Sequence, residues 1–132
     1  MSYLTIERRD AVERRLRPFI HERIFGCDIC QDVCPWNRRA AVSADPAWVA
    51  RPMLAGSRLI DFCAMPDAEW SRLLKGSALR RAGLHRLRRS LAYAAAHLPD
   101  PECGRALDAL AAHPSGHDPQ VADAIAWARH PW

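Results

Sequence analysis

The sequence predicts a mainly α-helical fold in which a cysteine-bearing segment, residues 1–44, precedes a helical module, residues 45–132. Two observations carry this prediction. Apolar residues recur at helical spacing through the second half of the chain, whereas the alternation typical of a strand is confined to residues 3–6. A chain of 132 residues with 49% apolar and 26% charged residues has room for one domain with a modest core.

The predicted helices can be placed in chain order. The first covers residues 8–22, which are charged on all sides and interrupted at Pro18. Further helices are predicted to begin where a boundary residue meets proline, because proline lacks the amide hydrogen that the first helical turn leaves unpaired. The four places are Asp45-Pro46, Met65-Pro66, Asp100-Pro101 and Asp118-Pro119.

Apolar stripes orient the later helices. The first stripe consists of Leu84, Leu87, Leu91, Ala95 and Leu98. If that stripe packs in the core, Arg86 and Arg89 are predicted to face solvent, with Arg88 at the margin. Two Asp-Pro helix starts eighteen residues apart, with alanine-rich helices between them, predict short HEAT-like helical hairpins.

Three cysteines stand close together in residues 26–37, the run Gly-Cys-Asp-Ile-Cys-Gln-Asp-Val-Cys-Pro-Trp-Asn. Their spacing corresponds to the last three cysteines of the bacterial iron–sulfur run C-x2-C-x2-C-x3-C-P, with Ile24 where the first would stand. Cys27 and Cys30 are predicted to share one [4Fe–4S] cluster and Cys34 to bind another, because the cysteine before proline ligates the other cluster in two-cluster ferredoxins. Each cluster needs four thiolates, so the segment is predicted to be half of a ferredoxin-like double-cluster site.

Other assignments of the cysteines stay open from the sequence. A zinc site built from His21 and the same three cysteines is an alternative, although zinc prefers wider paired spacings. Cys63 and Cys103 are predicted to be small core or surface thiols and not ligands. An odd set of five cysteines, without a signal peptide or a long apolar run, predicts a reducing compartment, the cytoplasm, and no membrane contact.

Positive charge is concentrated between residues 70 and 99, which contain no aspartate or glutamate. Six arginines and Lys75 give this block a charge of +7, in a chain whose net charge is +4. Guanidinium groups are forked donors suited to phosphate, so the block is either a solvated helix face or a surface that contacts an RNA backbone. The candidate RNA-contacting residues are Arg80, Arg81, Arg86, Arg88 and Arg89.

Three stretches, in the same order, resemble the C-terminal part of epoxyqueuosine reductase, the cobalamin-dependent iron–sulfur enzyme that completes queuosine on tRNA. They are residues 2–7 (Ser-Tyr-Leu-Thr-Ile-Glu), residues 23–37, which include the cysteine run, and residues 76–82 (Gly-Ser-Ala-Leu-Arg-Arg-Ala). The resemblance is close over the first forty residues or so and looser through the helical remainder. It implies tRNA as the partner of the basic block.

The resemblance also implies what precedes these stretches in the family: a cobalamin-binding catalytic region, a complete four-cysteine run and a further cysteine. Cys27 and Cys30 would join two of those cysteines on one cluster, and Cys34 would complete the other. The chain is therefore expected to be a truncated, split or misassigned reading frame. By itself it is expected to hold neither cluster in the family's manner and to be inactive, unless a separate chain supplies the missing portion.

The leading functional hypothesis is the C-terminal part of an epoxyqueuosine reductase-like oxidoreductase, which contributes cluster ligands and tRNA contacts to the reduction of epoxyqueuosine. Two alternatives remain. One is a non-catalytic tRNA-binding or interaction module, and the other is a ferredoxin-like electron carrier, which would need a full ligand set. No residue of the chain is predicted to be a general acid.

Overall fold

Every regular element of the computed structural model is helical in the part of the chain that it describes, residues 1–52 and 54–131. Its α-helices are α1 Ile29–Asp32, α2 Leu59–Ala64, α3 Asp67–Leu74, α4 Gly83–Ala95, α5 Glu102–Ala112 and α6 Pro119–Ala128. Short 3-10 helices occupy Arg14–Ile20, Asn37–Arg39, Pro46–Trp48, Ala78–Arg81 and Pro114–His117. The predicted mainly α class is confirmed. Within these ranges none of the helices has both the length and the apolar character that a membrane span requires.

The strand considered at residues 3–6 is wrong, because Tyr3–Glu7 forms one π-helical turn. The Arg8 amide donates to the Tyr3 carbonyl oxygen at 2.8 Å and closes the turn. Leu4 and Thr5 are both buried although they are neighbours in the sequence. A strand directs successive side chains to opposite faces, whereas a helical turn can bury two neighbours together.

The proline signals located helix starts correctly at all four predicted places. Asp118 caps α6, its Oδ1 accepting from the Gln120 amide at 2.9 Å, and Asp45 caps the 3-10 helix Pro46–Trp48. Helices α3 and α5 begin one residue after Pro66 and Pro101. The helix predicted at residues 8–22 is shorter than expected and consists of the 3-10 helix Arg14–Ile20 with Pro18 inside it.

Helix α4 is the centre of the molecule and contacts α2, α3, α5 and α6. Residues 87–95 of this helix are all buried, so it is covered on every side and not along one stripe alone. Val121, Ala124 and Ile125 of α6 pack in the same core, as do Leu107 and Leu110 of α5. The HEAT-like comparison of these hairpins stays a prediction.

The N-terminal segment shares its core with the helices. Leu4, Val12 and Ile20 are almost fully buried and belong to the same hydrophobic cluster as α4 and α6. The π-helical turn Tyr3–Glu7 and the 3-10 helix Arg14–Ile20 both contact α4. The cysteine loop is therefore attached to the helical core through the residues that precede it. The boundary predicted at residue 44 stays a prediction.

Gly116 provides a test of this packing. A Cβ at this position would overlap the carbonyl oxygen of Leu110 and approach the Ala111 Cα to 3.1 Å. Because both obstacles are backbone, Gly116→Ala is expected to lower the free energy of unfolding by about 1–3 kcal/mol, as overpacking does. Urea unfolding followed by circular dichroism measures this value.

Gly104→Ala is the matched control, since Gly104 lies in α5 and a Cβ added there would meet nothing within 4 Å. Removal of a helical glycine is expected to be neutral or to stabilise by up to about 1 kcal/mol. Equal stability of the parent and the Gly116→Ala variant would contradict the packing of Pro114–His117 on α5.

Candidate metal centre and arginine network

The cysteine loop begins at Gly26, whose backbone is in the left-handed region with φ +74°. Its amide donates to Thr5 Oγ1 at 3.0 Å, so the loop starts from a fixed point on the N-terminal turn. A side chain in this conformation would be strained, which explains why glycine precedes Cys27.

Local hydrogen bonds fold the loop beyond Gly26. Cys30 lies in the single turn of α1, and the Cys34 amide donates to the Gln31 carbonyl oxygen at 3.2 Å. Asn37 closes the loop, since its amide donates to the Cys34 carbonyl oxygen at 3.1 Å and its side chain donates to the Gln31 carbonyl oxygen at 3.1 Å. The Cys30 thiol is exposed, and those of Cys27 and Cys34 are half-buried.

The ligand set of this chain does not fit a complete cluster. Among residues 1–52 and 54–131, no three side chains of His, Cys, Asp or Glu are gathered closely enough to hold a metal ion. A [4Fe–4S] cluster takes four thiolates, and this loop offers three cysteines. The zinc alternative gains no support, because His21 and the three cysteines form no such group within these ranges. The ring of His21 lies against that of His97, 5.3 Å away from centroid to centroid.

The two remaining cysteines are buried away from the loop, as expected for small core thiols. Burial raises the pKa of Cys63 to about 12, and nearby Arg88 offsets this only in part. Burial also raises the pKa of Cys103, with the charge of Asp100 acting in the same direction. Since metal ligation requires the thiolate, neither position favours a ligand.

The arginine block divides into buried and exposed members, and the prediction that Arg89 faces solvent is wrong. Both Arg88 and Arg89 have a relative exposure of 0%. The leucine stripe identified one packed face of α4, but the opposite face packs as well, against α6 and the N-terminal segment. Arg88 and Arg89 therefore cannot form an accessible phosphate surface in this structure.

Arg88 joins α4 to the connection between α2 and α3. Its Nη2 donates to the Met65 carbonyl oxygen at 2.7 Å and to Asp67 Oδ1 at 2.6 Å. Ser115 Oγ donates to the same carboxylate oxygen at 2.8 Å. Burial tends to raise the pKa of Asp67, but the hydrogen bonds from Ser115 and Arg88 outweigh it, and the pKa lies below its ordinary value.

Arg89 joins α4 to the N-terminal segment. Its Nη2 donates to the Leu4 carbonyl oxygen at 2.8 Å, and its Nη1 donates to the Asp10 carbonyl oxygen at 2.8 Å and to Gln120 Oε1 at 2.9 Å. Both nitrogens also lie 3.3 Å from the Arg8 carbonyl oxygen. Burial lowers the pKa of Arg89, yet a guanidinium stays protonated in proteins.

Arg17, which no sequence pattern singled out, makes a third buried link. Its Nε donates to the Val12 carbonyl oxygen at 2.8 Å and its Nη2 pairs with Asp123 of α6 at 2.5 Å. The guanidinium carbon lies 5.4 Å from the Tyr93 ring centroid and 5.9 Å from that of Trp127. The sequence around Arg17 gave no signal of this role, because the side chains that it contacts, Asp123, Tyr93 and Trp127, lie far away in the chain.

Three members of the block remain accessible in whole or in part. Arg80 and Arg81 are exposed, and Arg81 Nη2 pairs with Glu7 Oε1 at 2.7 Å. Arg86 is half-buried, and its guanidinium donates to the carbonyl oxygens of Ala82 and Arg81.

Comparisons with known proteins agree with the prediction that the cysteine loop belongs to an iron–sulfur segment. Residues 1–37 match the family described as "4Fe-4S double cluster binding domain". The cysteine loop thus lies within a segment that is similar to double-cluster iron–sulfur domains.

Curated epoxyqueuosine reductases extend the similarity to nearly the whole chain. The protein from Escherichia coli strain K12 is 38% identical over 128 residues, which cover 97% of this chain and 33% of the relative. The protein from Pseudomonas aeruginosa is 38% identical over 128 residues, with 97% and 35% covered. The chain belongs to the epoxyqueuosine reductase family, and it spans about a third of the length of these relatives. No solved structure matches it.

Arg89→Gln tests the buried network. Glutamine cannot reach all the acceptors, so the carbonyl oxygens of Leu4 and Asp10 would stay buried without a donor. We expect the free energy of unfolding to fall by about 2–4 kcal/mol, whereas Arg80→Gln, at an exposed position of the same block, should change it by less than about 0.5 kcal/mol. Urea unfolding gives both values. Similar small losses for the two variants would contradict the buried role of Arg89.

Proposed function

We propose that this chain supplies Cys27, Cys30 and Cys34 to a pair of [4Fe–4S] clusters in an enzyme that reduces epoxyqueuosine to queuosine in tRNA. The observation that carries the proposal is the x2 and x3 spacing of the three cysteines before Pro35, on one loop within the match to a double-cluster domain. When bound, such clusters transfer electrons one at a time. The family resemblance assigns cobalamin to the catalytic region, which this chain does not span.

The three thiols divide between the clusters according to their spacing. Cys27 and Cys30 bind one cluster together, and Cys34 binds the other. The remaining thiolates come from the part of the relatives that this chain does not span, either in the same polypeptide or in a separate chain. This division explains why the loop alone offers too few ligands.

Exposed apolar side chains around the thiols support the proposal that another stretch of polypeptide covers the loop. Ile29, Val33 and Trp36 have relative exposures of 45%, 64% and 87%, respectively. Large apolar groups that neighbour one another at a surface commonly mark an interaction site. A covering polypeptide that carries the missing cysteines would also exclude water from the clusters, which tunes their potential.

For the basic block, we propose tRNA backbone contact through its exposed members. Arg80 and Arg81 lie on the 3-10 helix Ala78–Arg81, and Arg72 and Lys75 are exposed at the end of α3. Arg86 can add a half-buried guanidinium to the same surface. Phosphate contacts orient an RNA without reading its sequence.

A tRNA-modifying role also places the protein in the cytoplasm.

The alternative of a non-catalytic tRNA-binding module draws on a specific observation, the lack of a converging ligand set in the described residues. The alternative of a free ferredoxin-like carrier is weaker, because a carrier must hold its cluster without help. The iron content and activity of a chimera, together with the iron content of the isolated chain, separate the three functions.

The cysteine assignment can be tested in a chimera in which this chain replaces the matching third of the Escherichia coli relative. Cys27→Ser or Cys30→Ser is expected to perturb the electron paramagnetic resonance signal of one reduced cluster, and Cys34→Ser that of the other. Cys103→Ser, at a buried cysteine away from the loop, is the control and should spare both signals. The chain alone, reconstituted anaerobically, should hold substoichiometric iron.

Three results would contradict the cysteine assignment or the proposed function. If all three serine variants erased one signal and spared the second, the division of ligands would be wrong. The second is an unmodified chimera that binds tRNA and yet contains no iron and shows no reduction of epoxyqueuosine. In that case the non-catalytic module would replace the proposed enzyme. A stoichiometric cluster in the isolated chain would instead favour the carrier.

The tRNA proposal predicts a change in salt dependence. Replacing Arg80 and Arg81 together by glutamine should weaken binding to different folded tRNAs alike and lower the slope of log affinity against log salt by about 1.5 units. Fluorescence anisotropy across a salt titration measures the slope. The double variant Arg105→Gln and Arg129→Gln removes the same charge outside the block and should have a smaller effect. Equal slopes for the two double variants would contradict tRNA contact and favour the alternative that the block is a solvated helix face.

A further inference from the structure

Thr5 is a buried hydroxyl at the entrance of the cysteine loop. Its relative exposure is 0%, and its Oγ1 accepts a hydrogen bond from the Gly26 amide at 3.0 Å. The two residues are 21 positions apart in the sequence, and Cys27 follows directly. The hydroxyl is thus the point at which the N-terminal turn holds the backbone of the loop.

The orientation of this hydroxyl is set by the turn that carries it. Thr5 Oγ1 lies 3.3 Å from the Ser2 carbonyl oxygen and 3.5 Å from that of Met1. The single hydroxyl hydrogen points back into the preceding turn, as is usual for threonine in a helical segment. A lone pair is then available for the Gly26 amide, which has no helical partner of its own.

Arg89 fixes the turn from the other side. It donates to the carbonyl oxygens of Leu4 and Arg8, which lie on either side of Thr5 in the sequence. A helical turn leaves its last carbonyl oxygens unpaired, and a cation at that end satisfies them and complements the helix dipole. Because Arg89 belongs to α4, the position of Thr5 is tied to the centre of the core.

Packing reinforces the hydrogen bond. A Cβ on Gly26 would stand 3.9 Å from Ile6 Cδ1, which is ordinary van der Waals contact, so the loop lies directly on the turn. The left-handed conformation of Gly26 then directs the chain into Cys27. A shift of the Gly26 backbone would move the Cys27 thiol with it.

We propose that Thr5 is a positioning residue for Cys27. Its hydroxyl, held in place by Arg89 through the N-terminal turn, sets the backbone of Gly26 and so the direction of the first thiol of the loop. The consequence for a bound cluster rests on the proposed function, whereas the consequence for the loop itself does not.

The loop is tested in the chain itself with Thr5→Val, which keeps the shape of the side chain and removes the hydroxyl. The Gly26 amide would lose its acceptor, and its hydrogen exchange is expected to become about tenfold faster, while amides of α4 stay within about twofold of the parent. Alkylation of Cys27 should accelerate relative to that of exposed Cys30. Thr5→Ser restores the hydroxyl and should restore both rates.

Two controls separate local positioning from a general loss of stability. Ser90→Ala removes another buried hydroxyl, one without a hydrogen-bond partner among the described residues, and should leave the loop unchanged. Val121→Ala opens the core at α6 and should speed exchange in α4 as well as in the loop. If Thr5→Val behaved like the parent or like Val121→Ala, the positioning role would be overturned.

The cluster is tested in the chimera with the Escherichia coli relative. Thr5→Val should alter the electron paramagnetic resonance line shape of the cluster that Cys27 binds and spare the other, with rescue by Thr5→Ser. An unchanged line shape with a loosened loop would overturn the positioning of Cys27. If the parent chimera bound no iron while Thr5→Val still loosened the loop, the proposed function would fail and the Thr5 contact would stand.

Discussion

The structure depends on a buried cation, the guanidinium of Arg89. It has no exposed surface, and the acceptors around it in the described part of the chain are neutral: the carbonyl oxygens of Leu4, Arg8 and Asp10 and the side-chain amide of Gln120. Transfer of a charge from water into a core is unfavourable unless hydrogen bonds replace the lost hydration. Arginine meets most of this requirement with a planar fork of donors: Nη1 and Nη2 of Arg89 find carbonyl and amide oxygens, whereas its buried Nε has no hydrogen-bond partner among the described residues. The N-terminal segment must therefore stay in place for Arg89 to remain buried.

Two further buried arginines extend the same principle. Arg17 fixes the 3-10 helix Arg14–Ile20 to α6 through Asp123, and Arg88 fixes the α2–α3 connection to α4 through Asp67. Each guanidinium donates to one carboxylate and to at least one backbone carbonyl oxygen. These hydrogen bonds satisfy backbone groups of a loop that has no partner in regular secondary structure. The helices thus position the segment from which the cysteine loop begins, and the loop itself keeps its thiols near the surface. This arrangement suits a loop that presents thiolates to another polypeptide.

Local chemistry explains what could be predicted from the sequence. Asp118 and Pro119 define a helix start by themselves, and the cysteine spacing before Pro35 indicated an iron–sulfur loop without reference to the rest of the chain. The burial of Arg88 and Arg89 could not be predicted in the same way, because a leucine stripe reveals one packed face and not whether the opposite face is covered too. The sequence feature that could have indicated this burial is the presence of small residues, Ser90, Ala92 and Ala94, which allow close packing all round α4. The contact of Thr5 with Gly26 joins residues 21 apart and leaves no periodic trace.

Buried guanidinium groups thus hold the cysteine-bearing segment and the helices together as one cooperative unit. Hydrogen exchange measured across a urea titration tests this cooperativity most directly, with the amides of the Tyr3–Glu7 turn compared with those of α4. We predict that both sets lose protection at the same urea concentration. Loss of protection in the N-terminal turn well before α4 would show that the segment detaches from an intact helical core, and would contradict the role assigned to the buried arginines.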